Sequence, residues 1–255
     1  MAREKADSTC HMTAFLILVS VLATAALSAV FGMAGGLILM GVLAALLPVA
    51  SAMFVHGILQ GVSNGWRAFL LRDYLLWRTI VWYATGAVAA ALVLAGVSVV
   101  LSRPLLFIVL GLVPLLVWLP RRHLHLDFTR PVHAVLCGFL VTGLNVIAGV
   151  AGPLLDVFAQ NVDADRRAVV ATKAATQLAA HLVKIVYYLP LVLDQGLGLP
   201  VWVLAAAIPL SVAGTMAGAR VLDAMSDTHF RRWTKRLVSA IGAVYVIRGL
   251  ILLAG

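Results

Sequence analysis

The sequence predicts an all-α polytopic membrane protein. Its expected form is two inverted repeats that together carry eight long transmembrane helices and two short re-entrant or return helices. The whole chain, 1–255, is read as one transmembrane domain, with repeat 1 at about 12–120 and repeat 2 at about 131–254. Three observations carry this. The 255 residues are 63% hydrophobic and 11% charged, with a mean hydropathy of +1.05, whereas water-soluble domains hold about 25% charged residues. Uncharged runs long enough to cross a bilayer recur along the chain, with room for about eight crossings of roughly 20 residues each. Finally, the chain matches itself when shifted by 117 residues, and the matches fall on its rare polar positions.

The elements follow from the charges. No Asp, Glu, Lys or Arg lies between Met12 and Trp66; at about 1.5 Å per residue that is on the order of 80 Å of helix, far more than one crossing. The run must fold back. Gly32, the Gly35-Gly36 pair and Pro48 are the natural breaks, leaving a helix at about 12–31, a short segment at 37–50 and a helix at about 52–71. The polar start and Ala23-Thr24-Ala25 imitate a signal peptide, but the apolar run continues far past that point, so an uncleaved first helix is expected. Uncharged runs at 79–102, 104–120, 131–155 and 195–219 give four more spans. Helices at about 167–190 and 231–254 carry charges within them, and a second short segment is expected at about 152–162.

The 117-residue shift places Gly32, Gly35, His56, Gln60, Asn64 and Arg67 on Gly149, Gly152, Lys173, Gln177, His181 and Lys184. In each half the four polar residues are spaced i, i+4, i+8, i+11, which puts them on one helix face. Loop charges orient the halves. Arg67, Arg72 and Arg78 make one connection basic while its counterpart near Asp194 to Gly198 has no Lys or Arg. One loop later the pattern reverses, Arg103 standing nearly alone against Arg220, Arg231, Arg232, Lys235 and Arg236. Because Lys and Arg gather on the cytoplasmic side, the halves are read as inverted, with both termini outside and the Arg121, Arg122, Arg130 loop inside. The net charge of +9 is thereby a topology label, and no nucleic-acid partner is called for.

Candidate functional residues are those that topology does not explain. Paired glycine breaks, Gly32 to Gly36 and Gly149 to Pro153, can be close packing, or can start half-helices whose free N–H groups face an anion. Lys173, Gln177, His181 and Lys184 form an ionisable stripe within a span. Lys173 and Lys184 could simply snorkel to opposite interfaces; Gln177 and His181, like His56 and Gln60 on the first stripe, are too deep for that. Arg67 is read as lying at the cytoplasmic end. Thr172 and Thr176 flank the second stripe and could be backbone-bonded. Asn145 either lines a cavity or cross-links helices. Asp156 is a candidate titrating group beside the second break, or a solvated turn residue with Asp163 and Asp165. His123, His125 and Asp127 sit in a basic loop and are read as solvated, so no metal is expected. Cys10 and Cys137 build neither a disulfide framework nor a cysteine metal site. No HExxH, P-loop or GxSxG occurs, so no enzyme and no cofactor is expected.

The stretch GPLLDVFAQNVDADRRAVVATKAATQLAAHLVKIVYY, from Gly152 to Tyr188, resembles the second repeat of the TauE/SafE family of sulfite and organosulfonate exporters. It has a glycine-rich turn, an apolar half-helix, a short polar loop and then a helix with Thr172-Lys173. GMAGGLILM and SNGWRAFLLRDYLLWRT resemble the first repeat more loosely; there Ala34 interrupts the glycine run and the usual proline is absent. The resemblance implies that the glycine breaks and the helix bearing Thr172, Lys173, Gln177 and His181 line the substrate path.

The expectation is therefore a secondary transporter in the bacterial inner membrane, exporting a small sulfur-containing or carboxylate anion such as sulfite, sulfoacetate or another organosulfonate, coupled to the proton gradient. Lys173, His56 and His181 would offset the anion's charge together with half-helix ends at Gly35, Gly36, Gly152 and Pro153; Gln60, Gln177, Asn145 and Thr172 would line the path. His181 and Asp156 are the proton-coupling candidates, since an imidazole titrates near neutrality. Membrane lipid is the surrounding partner, and a homodimer is among the open oligomeric states. Two alternatives remain, a passive anion channel and a non-transporting scaffold or assembly factor.

Overall fold

The computed structural model describes residues 2–31, 33–97, 99–118, 125–223 and 227–254. Ten α-helices account for most of them: α1 (Ala2–Phe31), α2 (Met33–Leu46), α3 (Val49–Leu70), α4 (Trp77–Ala95), α5 (Arg103–Leu112), α6 (Pro131–Ala148), α7 (Gly152–Ala159), α8 (Arg166–Gln195), α9 (Val201–Asp223) and α10 (Asp227–Ala254). Short 3-10 turns cover Arg72–Tyr74 and Val113–Trp118. Gly32 and the Arg121, Arg122, His123 tract lie outside the described residues.

Among the described residues, six helices, α1, α4, α6, α8, α9 and α10, contain stretches long and apolar enough to cross a bilayer, against the eight long spans expected. The other two differ for identifiable reasons. Helix α3 has 22 residues, ample length, but it carries His56, Gln60, Ser63 and Asn64, all buried inside the bundle rather than turned to lipid. Helix α5 stops after 10 residues and tightens into the 3-10 turn at Pro114, whose ring supplies no N–H to an α-helical ladder. The expected span 79–102 also ends early, at Ala95; Val97 and Val99 instead direct backbone groups at the Tyr187 hydroxyl.

Hydrogen bonds assign the helix ends to two faces. On one, Phe128 N–H donates to Phe158 O at 3.1 Å, Leu76 N–H to Thr172 Oγ1 at 3.1 Å and Arg167 Nη1 to Tyr74 OH at 2.8 Å. On the other, Arg103 Nη2 donates to Leu47 O at 3.0 Å and Ser51 Oγ to Gly196 O at 3.3 Å. Since α6 starts beside Phe128 and α7 ends beside it, the chain turns back at the end of α6 and α7 runs toward the end from which α6 began. The turn between them is set by Gly149, whose φ of 81° closes α6 with its N–H on Asn145 O; left-handed backbone favours glycine there. At the opposite face Leu47, just past α2, lies beside the start of α3.

Helices pair α1 with α9, α4 with α6, α5 with α10 and α3 with α8, with α3 also on α9 and α4 also on α8. Small residues bring several axes together. A Cβ at Gly138 would run into Tyr83 O, and one at Gly86 into Val135 O, so α4 and α6 pack backbone to backbone. The core is apolar around Leu37, Met40, Leu43, Met53, Leu59 and Phe107, with a second cluster of Tyr83, Cys137, Val141, Leu155 and Phe158 under α7. Leu92, Val132, Val186, Leu193 and Val201 are exposed on the outside, the arrangement expected where the solvent is lipid.

Candidate functional site

Helices α3 and α8 cross antiparallel at the centre of the molecule, and each turns its polar face inward. Gly57 permits the approach: a Cβ there would lie 2.9 Å from Ile185 Cγ1 and 3.3 Å from Lys184 Cε. His56, Gln60, Asn64, Asn145, His181 and Lys184 are all buried as a result.

The polar groups form one connected network. Lys184, 0% exposed, donates to Gly149 O at 2.9 Å and Asn145 Oδ1 at 3.3 Å and meets His56 Nδ1 at 2.8 Å. His56 Nε2 lies 2.9 Å from Gly36 O, and Asn145 Nδ2 lies 3.3 Å from His181 Nδ1. The two imidazoles stand edge to face, 5.7 Å between centroids. An ammonium has three N–H donors, and here each has an acceptor. It also sits on the carbonyl end of α6, where helix polarity favours a cation.

A cavity of about 30 Å³ opens beside this network. One water needs about 10–15 Å³ on this measure, so the space suits a couple of waters or one small ion. His56, Gln60, Asn64 and Arg67 line it from α3, and Gln177 and His181 from α8. Asn145 contributes from α6, Ser28 from the last turns of α1. Met33 and Gly36 bring the first turn of α2 to the same wall, and Gly152 the first residue of α7. The two starts nearly touch, since a Cβ at Gly152 would lie 2.7 Å from that of Met33. Helix starts leave backbone N–H groups unpaired and favour negative charge. A larger groove of about 600 Å³, lined by Ala91, Leu94, Leu182, Val186 and Pro190 among others, is apolar and faces outward; it offers an anion nothing.

Two polar atoms at the cavity have no hydrogen-bond partner, Arg67 Nη2 and Ser28 Oγ, and both are buried. Buried polar groups are ordinarily satisfied, and an unpaired buried charge costs several kcal/mol. Arg67, one of the residues around the cavity, thus holds a buried donor with no acceptor among the described protein groups.

Of the residues singled out from the sequence, His56, Gln60, Asn145, Gln177, His181, Gly36 and Gly152 come together around the cavity. Pro153 is buried in the first turn of α7. Gly35 is buried against α1, where a Cβ would strike Thr24 O and Ser28 Oγ. Three lie elsewhere. Thr172 is buried and accepts the Leu76 N–H, tying α8 to the loop before α4. Lys173 and Asp156 form an ion pair between α8 and α7, with side chains 28% and 31% exposed, and neither lines the cavity. Lys184 does not snorkel. Asp127 holds its own turn, accepting from Thr129 N and Oγ1.

Sequence reasoning missed Arg67, Ser28 and Asn64 as lining residues and left Lys184 off the site. The signals were present: Arg67 is eleven residues from His56, three turns along the same face. The 117-residue shift also maps Ser28 onto Asn145.

Comparison with known proteins places the chain in a family. The family model described as Sulfite exporter TauE/SafE matches residues 16–245. No curated protein and no solved structure matches the chain. With the match running through nearly all of α1 to α10, this multi-pass membrane protein belongs to the sulfite exporter TauE/SafE family, a family of anion transporters and not of enzymes.

Proposed function

We propose that the protein is a secondary transporter that exports sulfite, sulfoacetate or another small organosulfonate from the cytoplasm across the bacterial inner membrane, driven by the proton gradient. The observation that carries this is Arg67: its Nη2 is buried and unpartnered at a cavity that also gathers the imidazole of His181 and the first turns of α2 and α7. A sulfur oxyanion supplies what that arrangement lacks, a negative charge with several acceptor oxygens, and guanidinium groups bind such oxygens strongly. Gln60, Gln177 and Asn64 orient the remaining oxygens.

The pairing of helices supports two inverted repeats of five elements, α1–α5 and α6–α10. Exchanging the halves turns α1 on α9 into α6 on α4, α3 on α9 into α8 on α4, and leaves α3 on α8 and α5 on α10 unchanged. In this reading α3 and α5, with its 3-10 continuation, cross the membrane as the seventh and eighth spans, while α2 and α7 are the return helices. Arg72, Arg78, Arg130, Arg166 and Arg167 gather on the face that holds Phe128 and Tyr74, and Arg103 and Arg248 stand toward the other, which supports a cytoplasmic assignment for the first. Alternating access is rocking of one repeat against the other around the cavity. His181, at the cavity wall, is the proton-coupling group in preference to Asp156, which Lys173 holds in an ion pair.

Counterflow in proteoliposomes tests the reading. Internal sulfite should accelerate uptake of labelled sulfite, with saturation, and a panel of sulfoacetate and other sulfonates should rank the substrates. Flux that scales with potential and shows neither counterflow nor saturation would make it a channel instead.

A further inference from the structure

Surrounded by three acceptors, Lys184 Nζ is assigned as an ammonium, which donates and has no lone pair to accept with, and the direction of the other hydrogen bonds in the network follows from that assignment. Three acceptors face it: Gly149 O at 2.9 Å, Asn145 Oδ1 at 3.3 Å and His56 Nδ1 at 2.8 Å. His56 Nδ1 must then be unprotonated, which puts its ring proton on Nε2, where Gly36 O accepts it at 2.9 Å. Asn145 must turn its oxygen to Lys184 and hence its amide nitrogen to His181 Nδ1, 3.3 Å away. That nitrogen accepts, so His181 carries its proton on Nε2. The ring lines the cavity, and Nε2–H is the donor it has left to offer there.

We infer that Lys184, which does not itself line the cavity, is the positioning residue that makes the cavity wall a hydrogen-bond donor, by fixing the orientation of Asn145 and through it the Nε2–H tautomer of His181. Without a donor-only group at this point, Asn145 can rotate its amide and accept from Nδ1–H. His181 then presents a bare Nε2 lone pair, which repels an anion. The inference rests on the anion reading for its consequence, but the tautomer itself does not depend on any transported substrate. Among the described residues no acid is paired with Lys184: from α3 the neighbouring titratable group is His56, on α8 itself His181 and Tyr188 lie a turn away, and the hydroxyl of Tyr188 is committed to Val146 O at 3.0 Å. Asp156 is occupied by Lys173.

The test is 15N-histidine NMR on the purified full chain, with the His181 signal identified among the seven histidines by its loss in His181→Gln. Wild type should show a single Nε2–H tautomer for His181. Lys184→Met should show a mixture or the Nδ1–H form, and sulfite binding to the same sample should weaken about tenfold to a hundredfold, the scale of one lost hydrogen bond to a charged group. In Lys184→Ala, added methylammonium should restore both. An unchanged His181 tautomer in Lys184→Met overturns the inference. If that variant is not recovered folded, Lys184→Arg and Lys184→Gln decide: arginine is still donor-only and should keep the tautomer, while glutamine, able to present either end, should lose it. The same result in both overturns the inference. A tautomer that responds in a protein binding no sulfite supports control by Lys184 and counts against the anion reading alone.

Discussion

Unpaired buried N–H groups are rare because each forfeits a hydrogen bond that water would have supplied, and Arg67 Nη2 is such a group at the rim of a polar cavity. Lys184, equally cationic, is the opposite case, with an acceptor for every N–H. The two cations fall on one another under the 117-residue shift, yet one is committed to the protein and the other is open. His181 and Asp156 separate in the same way, the first on the cavity wall and the second salt-bridged at a half-exposed site. His181→Gln is therefore expected to keep sulfite counterflow while losing flux driven by a pH gradient; Asp156→Asn should keep both. Neutralising Asp156 leaves Lys173 without its partner at a partly buried site, so some loss of stability is expected alongside unchanged flux. Loss of pH-driven flux in the Asp156 variant alone would reverse the assignment. Spacing in the sequence identified the two polar faces, because period alone fixes which side chains share a face. It could not say which cation finds partners, because those partners, Gly149 O and Asn145, come from another helix.

At the scale of elements, the glycine breaks do what their sequence suggested in the second half: Gly149 ends α6 in left-handed backbone and Pro153 sits in the first turn of α7. Uncharged runs found each helix but not always its ends: α1 begins at Ala2 rather than about 12, α6 ends at Ala148 within the run 131–155, and α9 is Val201–Asp223 rather than 195–219. They overran at 96–102, where an apolar loop is indistinguishable from helix by hydropathy, and at α5, where the 3-10 continuation is equally apolar. Close packing was invisible too, since Gly86 meets the Val135 carbonyl of α6 and Gly138 the Tyr83 carbonyl of α4 only in three dimensions. Gly138→Leu should force those helices apart and lower stability by about 1–3 kcal/mol, the usual cost of overpacking. Leucine at Gly143, where a Cβ meets nothing within 4 Å, is the control. Equal melting temperatures for the two variants would contradict the packing described here.

For the whole molecule, the exchange symmetry of the helix pairs supports a repeat and the distribution of arginines supports its proposed inversion, one from packing and the other from charge. Labelling single cysteines in an otherwise cysteine-free chain checks it in intact cells. A cysteine at Arg130 should react only after the membrane is permeabilised, and one at Asp194 should react from outside. Reaction of both from the same side would contradict inverted repeats. The polytopic class was legible from composition alone, because nothing else tolerates 11% charged residues over 255 positions; the assembly of the site was not, because it needs α1, α2, α3, α6, α7 and α8 to converge. That convergence beside Arg67, whose Nη2 has no partner, is the central claim, and sulfite counterflow in proteoliposomes carrying wild type, Arg67→Ala or Arg67→Lys tests it most directly. Wild type should exchange sulfite with saturation, Arg67→Lys should do so with weakened apparent affinity because a point charge replaces a bidentate fork, and properly inserted Arg67→Ala should not exchange. Wild-type rates in Arg67→Ala would contradict the account.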